Sequence, residues 1–164
     1  MDVNFCSSIA LHALALVRDD PSSIGLLDTA AQLLAGETAH GELFRVQYDL
    51  GSLLGVRNQY EQARSALDAA GKAASHGGSE IGVGKVSRAL HRVQELQAHG
   101  GLTRQEYEVA KLARAGRSNK TIAERMCLAT ATVEFHLSKV YRKLGITGRR
   151  ELGSAILSWR DSGP

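Results

Sequence analysis

The sequence has no long apolar run and few cysteines or aromatic residues. No stretch reaches the roughly 20 consecutive apolar residues that a membrane-spanning helix needs. The N-terminal Met1-Asp2-Val3 lacks the basic segment of a signal peptide. Cys6 and Cys127 are far apart, which argues against a disulfide framework or a metal site and fits a reducing compartment. We therefore expect a cytoplasmic protein without a metal site or a membrane anchor.

The composition favours an all-α fold. Aromatic residues make up 5% of the 164 positions and apolar residues 43%. This balance suits helices that pack through alanine and leucine. The length allows one medium-sized domain or two small ones.

Charge is distributed unevenly along the chain. Residues 1–101 contain 8 Lys and Arg against 11 Asp and Glu, a net charge of −3, whereas residues 102–164 contain 12 against 6, a net charge of +6. A basic module attached to a mildly acidic one indicates a polyanionic partner for the C-terminal part only.

The first hundred residues show the pattern of paired helices. We expect an apolar helix over residues 9–17 that is stopped by Asp19-Asp20-Pro21. A second helix, capped by Ser22, would then run to Gly36. Together they predict one helical hairpin.

A second hairpin is predicted between residues 43 and 70, with its turn at residues 55–58. Asn58 and Glu61 have the spacing of a capping box at the start of its second helix. The pattern resembles the tetratricopeptide repeat, in which small residues let two helices cross closely. The residues that carry this resemblance are Leu50-Gly51, Leu54, Tyr60, Ala63, Leu67 and Ala70.

A glycine-rich segment at residues 77–86 has some features of a phosphate-binding loop. Ser79 stands where the first glycine of such a loop belongs, and Val86 replaces the hydroxyl that binds magnesium. No predicted strand precedes the segment. We interpret it as a flexible connection into a helix near residues 80–97, and we predict no ATPase activity.

Residues 102–152 predict short helices with well-marked ends. Thr103 and Glu106 have the spacing of a capping box, and Ala115-Gly116 supplies the small residues that end the first helix. Ser118 is a good N-cap for a short second helix. These signals predict two helices joined by a tight turn.

The third helix is predicted from Thr130 to Leu144, because apolar residues recur there at i, i+4, i+7 and i+11 and share one face. Polar, aromatic and basic residues occupy the opposite face. A fourth helix is expected to begin near Arg149, with Gly148 as its N-cap and Glu151 three residues on, the spacing of a capping box. Trp159 in that helix either closes the core or lies in a dimer contact. The apolar stripes are Val133, Leu137, Val140 and Leu144 in the third helix, and Leu152, Ala155, Ile156 and Trp159 in the fourth.

This stretch closely resembles the LuxR-type (GerE-like) helix-turn-helix domain of bacterial transcription regulators. Together with the hairpins, the chain resembles the C-terminal part of large ATP-binding LuxR-family regulators of the MalT-like (LAL) type. We therefore predict a tetratricopeptide-like helical domain at residues 1–99 and a LuxR-type domain at residues 100–164. The matching residues are Leu102-Thr103, Glu106, Val109, Ala115-Gly116, Ser118-Asn119-Lys120, Ile122-Ala123, Thr132-Val133, His136-Leu137, Lys143-Leu144-Gly145-Ile146, Arg149 and Glu151-Leu152.

The resemblance implies a transcription regulator that binds double-stranded DNA as a homodimer, with the helix from Thr130 to Leu144 in the major groove. It implies neither catalysis nor a cofactor. By family position, Glu134, Phe135 and Ser138 would read bases. The residues that would hold phosphates are Lys139, Arg142, Lys143, Ser118, Asn119, Lys120 and Thr132, and His136 either packs locally or contacts a phosphate.

Two positions depart from the family pattern. Ala129 stands where serine or threonine usually caps the third helix, so either Thr130 takes over as the cap or the helix end is held less firmly. Glu134 stands where many relatives have lysine. Its carboxylate could accept a hydrogen bond from the amino group of cytosine or, less typically, adenine, or it could merely lie near the positive end of the helix.

The hairpins leave other interpretations open. Two repeats are few for a solenoid, since at least three are normally needed to bury a continuous core. The chain could be a fragment, a naturally short relative, or a protein that completes its solenoid by dimerising. The hairpins could also contact RNA polymerase or another protein. In the alternative function the chain is a protein-interaction adaptor whose helix-turn-helix is vestigial.

Overall fold

The computed structural model describes residues 3–18, 20–36 and 38–161, with side chains as far as residue 156. Its regular elements are helices and these residues form no strand, which confirms the all-α prediction. No helix within those ranges is both long and apolar enough to span a membrane. The helices are α1 (Val3–Val17), α2 (Ser22–Leu33), α3 (His40–Val56), α4 (Tyr60–His76), α5 (Glu80–Ala98), α6 (Arg104–Arg114), α7 (Asn119–Met126), α8 (Thr130–Leu144) and α9 (Leu152–Asp161), with a short 3₁₀ helix (Arg149–Glu151) before α9.

The chain divides after Gln94, within α5, into two compact units. In the first unit α1 packs on α2, α2 on α3, and α3 on α4. The two hairpins predicted from the sequence are therefore present, as α1–α2 and α3–α4. Their tetratricopeptide character stays a prediction. The core of this unit includes Leu27, Leu34, Val46, Leu54, Leu67, Val86 and Val93.

The crossing of α3 and α4 depends on the absence of a side chain at Gly51. A Cβ atom there would lie 2.6 Å from Cγ of Leu67 and 3.0 Å from the carbonyl oxygen of Ala63. Both neighbours are fully buried, so neither can move aside into solvent. The close crossing expected from the small residues is therefore what the structure shows.

The helix ends of the first hairpin differ from the sequence prediction. α1 begins at Val3, not at Ile9. Ser22 is the first residue of α2 and does not cap it. Instead the carboxylate of Asp20 accepts hydrogen bonds from the Ser22 hydroxyl and, at 2.7 Å, from its backbone N–H. These bonds hold the pKa of the Asp20 carboxyl below its usual value. A carboxylate is the stronger acceptor near the positive end of a helix, so aspartate takes the place of serine.

The predicted capping box of Asn58 and Glu61 is also wrong. Asn58 adopts a left-handed conformation, with φ of 63°, and belongs to the turn that precedes α4. Gln59 is the N-cap and makes no side-chain capping bond. The side-chain oxygen of Asn58 accepts a hydrogen bond from the Tyr60 hydroxyl at 2.7 Å. Asparagine adopts the left-handed conformation more readily than most residues, so Asn58 forms the turn before α4 instead of capping the helix.

Most of the glycine-rich segment is helical, because α5 begins at Glu80 and only residues 77–79 connect it to α4. Gly82 lies in the first turn of α5 and permits close packing, since a Cβ there would be 2.9 Å from that of Ala74. Backbone N–H groups inside a helix bond to its own carbonyls. They cannot form the open cradle of a phosphate-binding loop.

In the second unit, α6 packs against α7, α8 and α9. The capping box of α6 is confirmed: the Glu106 N–H donates to Thr103 Oγ1 at 3.3 Å, and the Thr103 N–H donates to Glu106 Oε2 at 2.9 Å. Ser118 caps α7 by accepting from the Thr121 N–H at 3.2 Å, also as predicted. The core consists of Leu102, Val109, Ala110, Ala113, Ile122, Ala123, Val133, Leu137, Val140, Leu152 and Ile156.

The start of the fourth helix is more complex than predicted. A 3₁₀ turn follows Gly148, and α9 begins only at Leu152. The Glu151 carboxylate accepts from the hydroxyl of Thr147 and, at 3.3 Å, from its N–H, one residue earlier than a capping box on Gly148 requires. The side chain of Trp159 lies outside the described residues, so both interpretations of it stay predictions.

Candidate nucleic-acid interface

α8 has one buried apolar side and one exposed side of mixed chemistry. Val133, Leu137 and Val140 are at most 4% exposed, and the helix packs on α6 and α7. The opposite side presents both charge signs, a hydroxyl and an aromatic ring. The exposed residues there are Glu134, Phe135, Ser138 and Arg142, and Lys139 is half-buried beside them.

Phe135 and Lys139 form a joint patch at the centre of that side. The Phe135 side chain is 57% exposed, which is unusual for a phenylalanine without a partner. The Lys139 ammonium nitrogen lies 4.3 Å from the centroid of its ring, one helical turn away. The ring can make apolar contact with a thymine methyl group, while the ammonium can reach a phosphate.

Lys143, by contrast, is exposed but is bonded to groups of its own domain. Its Nζ donates to Glu106 Oε2 at 2.7 Å and to the carbonyl oxygen of Gly101 at 3.2 Å. Glu106 is 4% exposed. Burial raises the pKa of the Glu106 carboxyl, but the bond and charge of Lys143 and the bonds from Thr103 outweigh it and hold that pKa below its usual value. The charge of Lys143 is therefore already paired.

Arg149 closes the C-terminal end of α6. Its guanidinium donates to the carbonyl oxygen of Ala113 at 3.2 Å, to Asn119 Oδ1 at 3.0 Å, and to the carbonyl oxygen of Arg117. A cation that satisfies the last carbonyls of a helix also interacts favourably with the helix dipole. Arg149 therefore joins α6, α7 and the segment before α9.

Asn119 connects this cluster to α8. Its Nδ2 donates to Glu134 Oε1 over 3.5 Å, at the limit of a hydrogen bond. Glu134 lies in the second turn of α8, and no acidic residue lies in the first. Because the dipole effect fades within one turn, proximity to the helix N-terminus does not account for this carboxylate. Glu134 instead lies exposed beside Phe135.

The N-terminus of α8 has no side-chain cap. Ala129 is the N-cap residue in an extended conformation, and Thr130 is already the first helical residue. Of the two alternatives for this helix end, the one in which Thr130 takes over as the cap is therefore wrong, and the one in which the end is held less firmly stays a prediction. The Ala129 carbonyl still accepts from the N–H of Thr132 at 3.0 Å, but the first amides of the helix bond to no side chain at that residue.

Four further predicted residues lie around α7 and α8. The Ser118 hydroxyl is engaged as the cap of α7 and pairs with Thr121 Oγ1 at 2.9 Å. Lys120 is exposed and, among the described residues, has no side-chain partner. Thr132 is half-buried. His136 is also half-buried, and its Nδ1 is buried without a hydrogen-bond partner in the described part of the chain, so local packing and a phosphate contact both stay predictions.

In the described ranges, no three His, Cys, Asp or Glu side chains come close enough together to hold a metal ion. Both cysteines are free and exposed. The side chains of the interface are suited to recognition by charge, hydrogen bonds and apolar contact.

Comparison with known proteins identifies the region that contains this interface. Residues 101–155 match the family described as "Bacterial regulatory proteins, luxR family" (GerE). They form a LuxR-family helix-turn-helix domain. The LuxR-type domain contains α6, α7 and α8 and every one of the eleven residues predicted to contact DNA.

Proteins of two mycobacteria are similar to this chain over a segment about as long as the LuxR-type domain. "Putative HTH-type transcriptional regulator Mb0914c" of Mycobacterium bovis and "Putative HTH-type transcriptional regulator Rv0890c" of Mycobacterium tuberculosis are each 41% identical to the chain over 61 residues. That region is 37% of this chain and 7% of each relative. The chain therefore matches only a small part of these relatives. No solved structure matches the chain at a comparable level.

The roles of Lys143 and Arg149 are what sequence reasoning missed. Lys143 was predicted to hold a phosphate, and Arg149 was part of the family pattern without an assigned role, yet both bind groups of the fold. Their partners Glu106 and Ala113 are 37 and 36 residues away, so local spacing gives no sign of the contacts. The one available signal was the capping box, which places Glu106 against the body of the domain.

Proposed function

We propose that this chain is a DNA-binding transcription regulator that places the exposed side of α8 in the major groove and binds as a dimer. The observation that carries the proposal is the exposed patch of Phe135, Lys139 and Arg142 on α8 of a LuxR-type domain. The net charge of +6 over residues 102–164 supports a polyanionic partner.

The contacts of each side chain suggest which residues bind phosphates, which read bases and which stabilise the domain. Lys120, Lys139 and Arg142 have no carboxylate partner among the described residues, so they are available to phosphates. Lys143 and Arg149 instead hold the domain together. Glu134, Phe135 and Ser138 would face base edges, with Glu134 accepting from cytosine. The residues that would fix register along the backbone are Ser118, Asn119 and Thr132, with His136 packed behind them.

A salt titration of DNA binding by the full chain tests the proposal. We expect log affinity to fall steeply with log salt concentration, because each phosphate contact contributes a slope of about −0.9. The variant Arg142→Ala should reduce the slope by about one contact on every DNA sequence. Arg88→Ala, which removes another exposed arginine, from α5, is the matched control and should leave the slope unchanged. Equal effects of the two variants would contradict a role for α8.

Base reading needs a separate test, because phosphate contacts carry no sequence information. Selection of bound sequences from a random DNA library should yield two half-sites related by a two-fold axis. Glu134→Gln should change the preferred base at one position of each half-site while the salt slope stays the same. Selection that returns no preferred sequence would contradict base reading.

A second candidate function is that of a protein-interaction adaptor. The first unit contains an open cavity of about 500 Å³ between α2, α3 and α4, large enough for a side chain or a short peptide segment. A flat salt slope together with retained binding to RNA polymerase or another protein would favour the adaptor. The residues lining the cavity include Ile24, Asp28, Gln47, Leu50, Leu54 and Gln62.

A further inference from the structure

Asn119 lies between a cation of the fold and the exposed acidic residue of α8. It is the first residue of α7 and is half-buried. Its side-chain oxygen, Oδ1, lies 3.0 Å from a guanidinium nitrogen of Arg149, and its amide nitrogen, Nδ2, lies 3.5 Å from Oε1 of Glu134. One amide therefore connects α7, α8 and the 3₁₀ helix before α9.

The chemistry of the two neighbours fixes which way the Asn119 amide points. A guanidinium only donates hydrogen bonds, so the atom that faces Arg149 has to be the amide oxygen. An ionised carboxylate only accepts, so the atom that faces Glu134 has to be the amide nitrogen. Turning the amide over would place two donors together at Arg149 and two acceptors together at Glu134. The orientation is therefore determined by both ends at once.

Arg149 is itself held in one place. Its guanidinium also donates to the carbonyl oxygen of Ala113 at 3.2 Å and to that of Arg117. These carbonyls belong to the last turn of α6 and to the segment between α6 and α7. A planar guanidinium with three acceptors on two sides has little freedom to turn. The direction of donation then runs from Arg149 through Asn119 to Glu134, and bonds aligned in this way strengthen each other.

Glu134 is a side chain for which such support matters, because it is exposed. An exposed glutamate populates several rotamers, and ordering it on a ligand costs binding free energy. Asn119 engages Oε1, whereas the second oxygen, Oε2, has no hydrogen-bond partner among the described residues. One oxygen can therefore be held by the domain while the other accepts from a ligand.

We propose that Asn119 is a positioning residue for base reading, which holds the Glu134 carboxylate in the rotamer from which Oε2 accepts from a base. The inference rests on the proposed function, since Glu134 can be positioned for a base only if it reads one. Asn119 has a second amide hydrogen, which stays available to the phosphate contact suggested above. Arg149 acts on the carboxylate through Asn119.

Asn119→Asp tests this role, because it removes the donor toward Glu134 and keeps an acceptor toward Arg149. The domain should stay folded, since a carboxylate binds a guanidinium at least as strongly as an amide oxygen does. The second oxygen of the new carboxylate repels that of Glu134 and turns it away. We expect the preference for one base at the position that Glu134 reads to fall about fivefold. Fluorescence anisotropy with the selected DNA and with the three other base pairs at that position measures this preference.

Lys120→Met is the matched control for charge. It also lowers the charge by one unit, at the next residue of α7, and Lys120 is exposed. We expect this variant to bind all sequences more weakly and to keep the base preference of the wild type. If Asn119→Asp likewise weakens binding to all four base pairs equally, Asn119 contacts only phosphate and the positioning role is overturned.

The same change in a Glu134→Gln background separates positioning from a general loss. Glutamine carries both a donor and an acceptor, so it can bond to the side chain at position 119 before and after the change. We expect Asn119→Asp to alter the base preference of the Glu134→Gln chain by less than about twofold, against about fivefold in the parent chain. Non-additivity of this kind measures the coupling between two side chains. Equal losses in both backgrounds would overturn the inference.

Failure of the proposed function would give a different result. If Glu134→Gln by itself leaves the base preference unchanged, Glu134 reads no base, and base reading by this residue and the role of Asn119 are overturned together. If Glu134→Gln changes the preference and Asn119→Asp does not, base reading stands and only the positioning role of Asn119 is overturned.

Discussion

In the first unit α3 and α4 pack closely because a glycine, which has no side chain, lies at their crossing. In the second unit α6 and α8 are joined by an ion pair between their side chains. Gly51 leaves room for Leu67, while Lys143 spans to Glu106. His12, with its two carboxylate partners, and Arg57, which donates to the carbonyl oxygen of Asp20, are exceptions in the first unit. The comparison suggests that the first unit is most sensitive to added atoms and the second to the removal of polar groups.

The largest effect should come from adding one methyl group at the helix crossing. We expect Gly51→Ala to lower the free energy of unfolding of the first unit by about 3 kcal/mol, because the new Cβ meets both Leu67 and a backbone carbonyl. Gly41→Ala in the same helix, where a Cβ meets no atom within 4 Å, should be neutral or stabilise by up to about 1 kcal/mol. Chemical denaturation, monitored by hydrogen exchange in the first unit, would measure the stability of both variants. Similar effects of the two changes would refute the packing argument.

Removal of a polar group from the second unit should have a smaller effect. Lys143→Met leaves the buried Glu106 carboxylate without its cation and should cost about 2 kcal/mol, less than a fully buried pair because the lysine is 34% exposed. Arg142→Met, at the next position, has no such partner among the described residues and should leave stability unchanged. Thermal unfolding measures both. The DNA affinity of Arg142→Met should fall, so the pair separates a fold residue from a contact residue.

The same ion pair predicts how stability depends on pH. The folded-state pKa of Glu106 is below its usual value of 4.5, so its contribution is fully present above that value and is lost as the pH falls through the folded-state pKa. The stability of the second unit should then decline by up to about 1.4 kcal/mol per pH unit. Glu106→Gln, which can still accept from Thr103, should lower stability at neutral pH and remove this part of the decline. An unchanged pH profile would contradict the assignment.

The smallest effect should be a gain at the start of α8. Ala129→Ser adds a hydroxyl that can accept from the amides of the first turn, worth about 1 kcal/mol. Ser118→Ala at the start of α7 is the reciprocal change and should lose a similar amount. Thermal unfolding measures both, and no gain for Ala129→Ser would show that this helix end is satisfied by other means.

The sequence predicted some of the features that depend on neighbouring residues, and it missed the contacts between residues far apart in the chain. The limits of α8 and the caps at Thr103 and Ser118 follow from local spacing, and the structure has them where expected. The caps at Ser22 and Asn58 failed because a nearby carboxylate or a turn competed for the same bonds. Such competition is decided by backbone geometry, which spacing does not specify.

The candidate site shows the same limit. The spacing of apolar residues predicted which side of α8 is buried, and it therefore also predicted that the polar and basic residues lie on the opposite, exposed side. Which cations remain free could not be predicted, because Lys143 and Arg142 are adjacent and chemically alike. Only the approach of Glu106, 37 residues away, separates them.

The bond from Lys143 to the carbonyl oxygen of Gly101 has a mechanical consequence. It ties the segment just before α6 to the last turn of α8, 42 residues further along the chain. A pulling force on the chain that precedes residue 101 would therefore act on the end of α8 through this hydrogen bond, as well as on α6 through the backbone. If this bond is broken, Glu106 remains as the partner of Lys143.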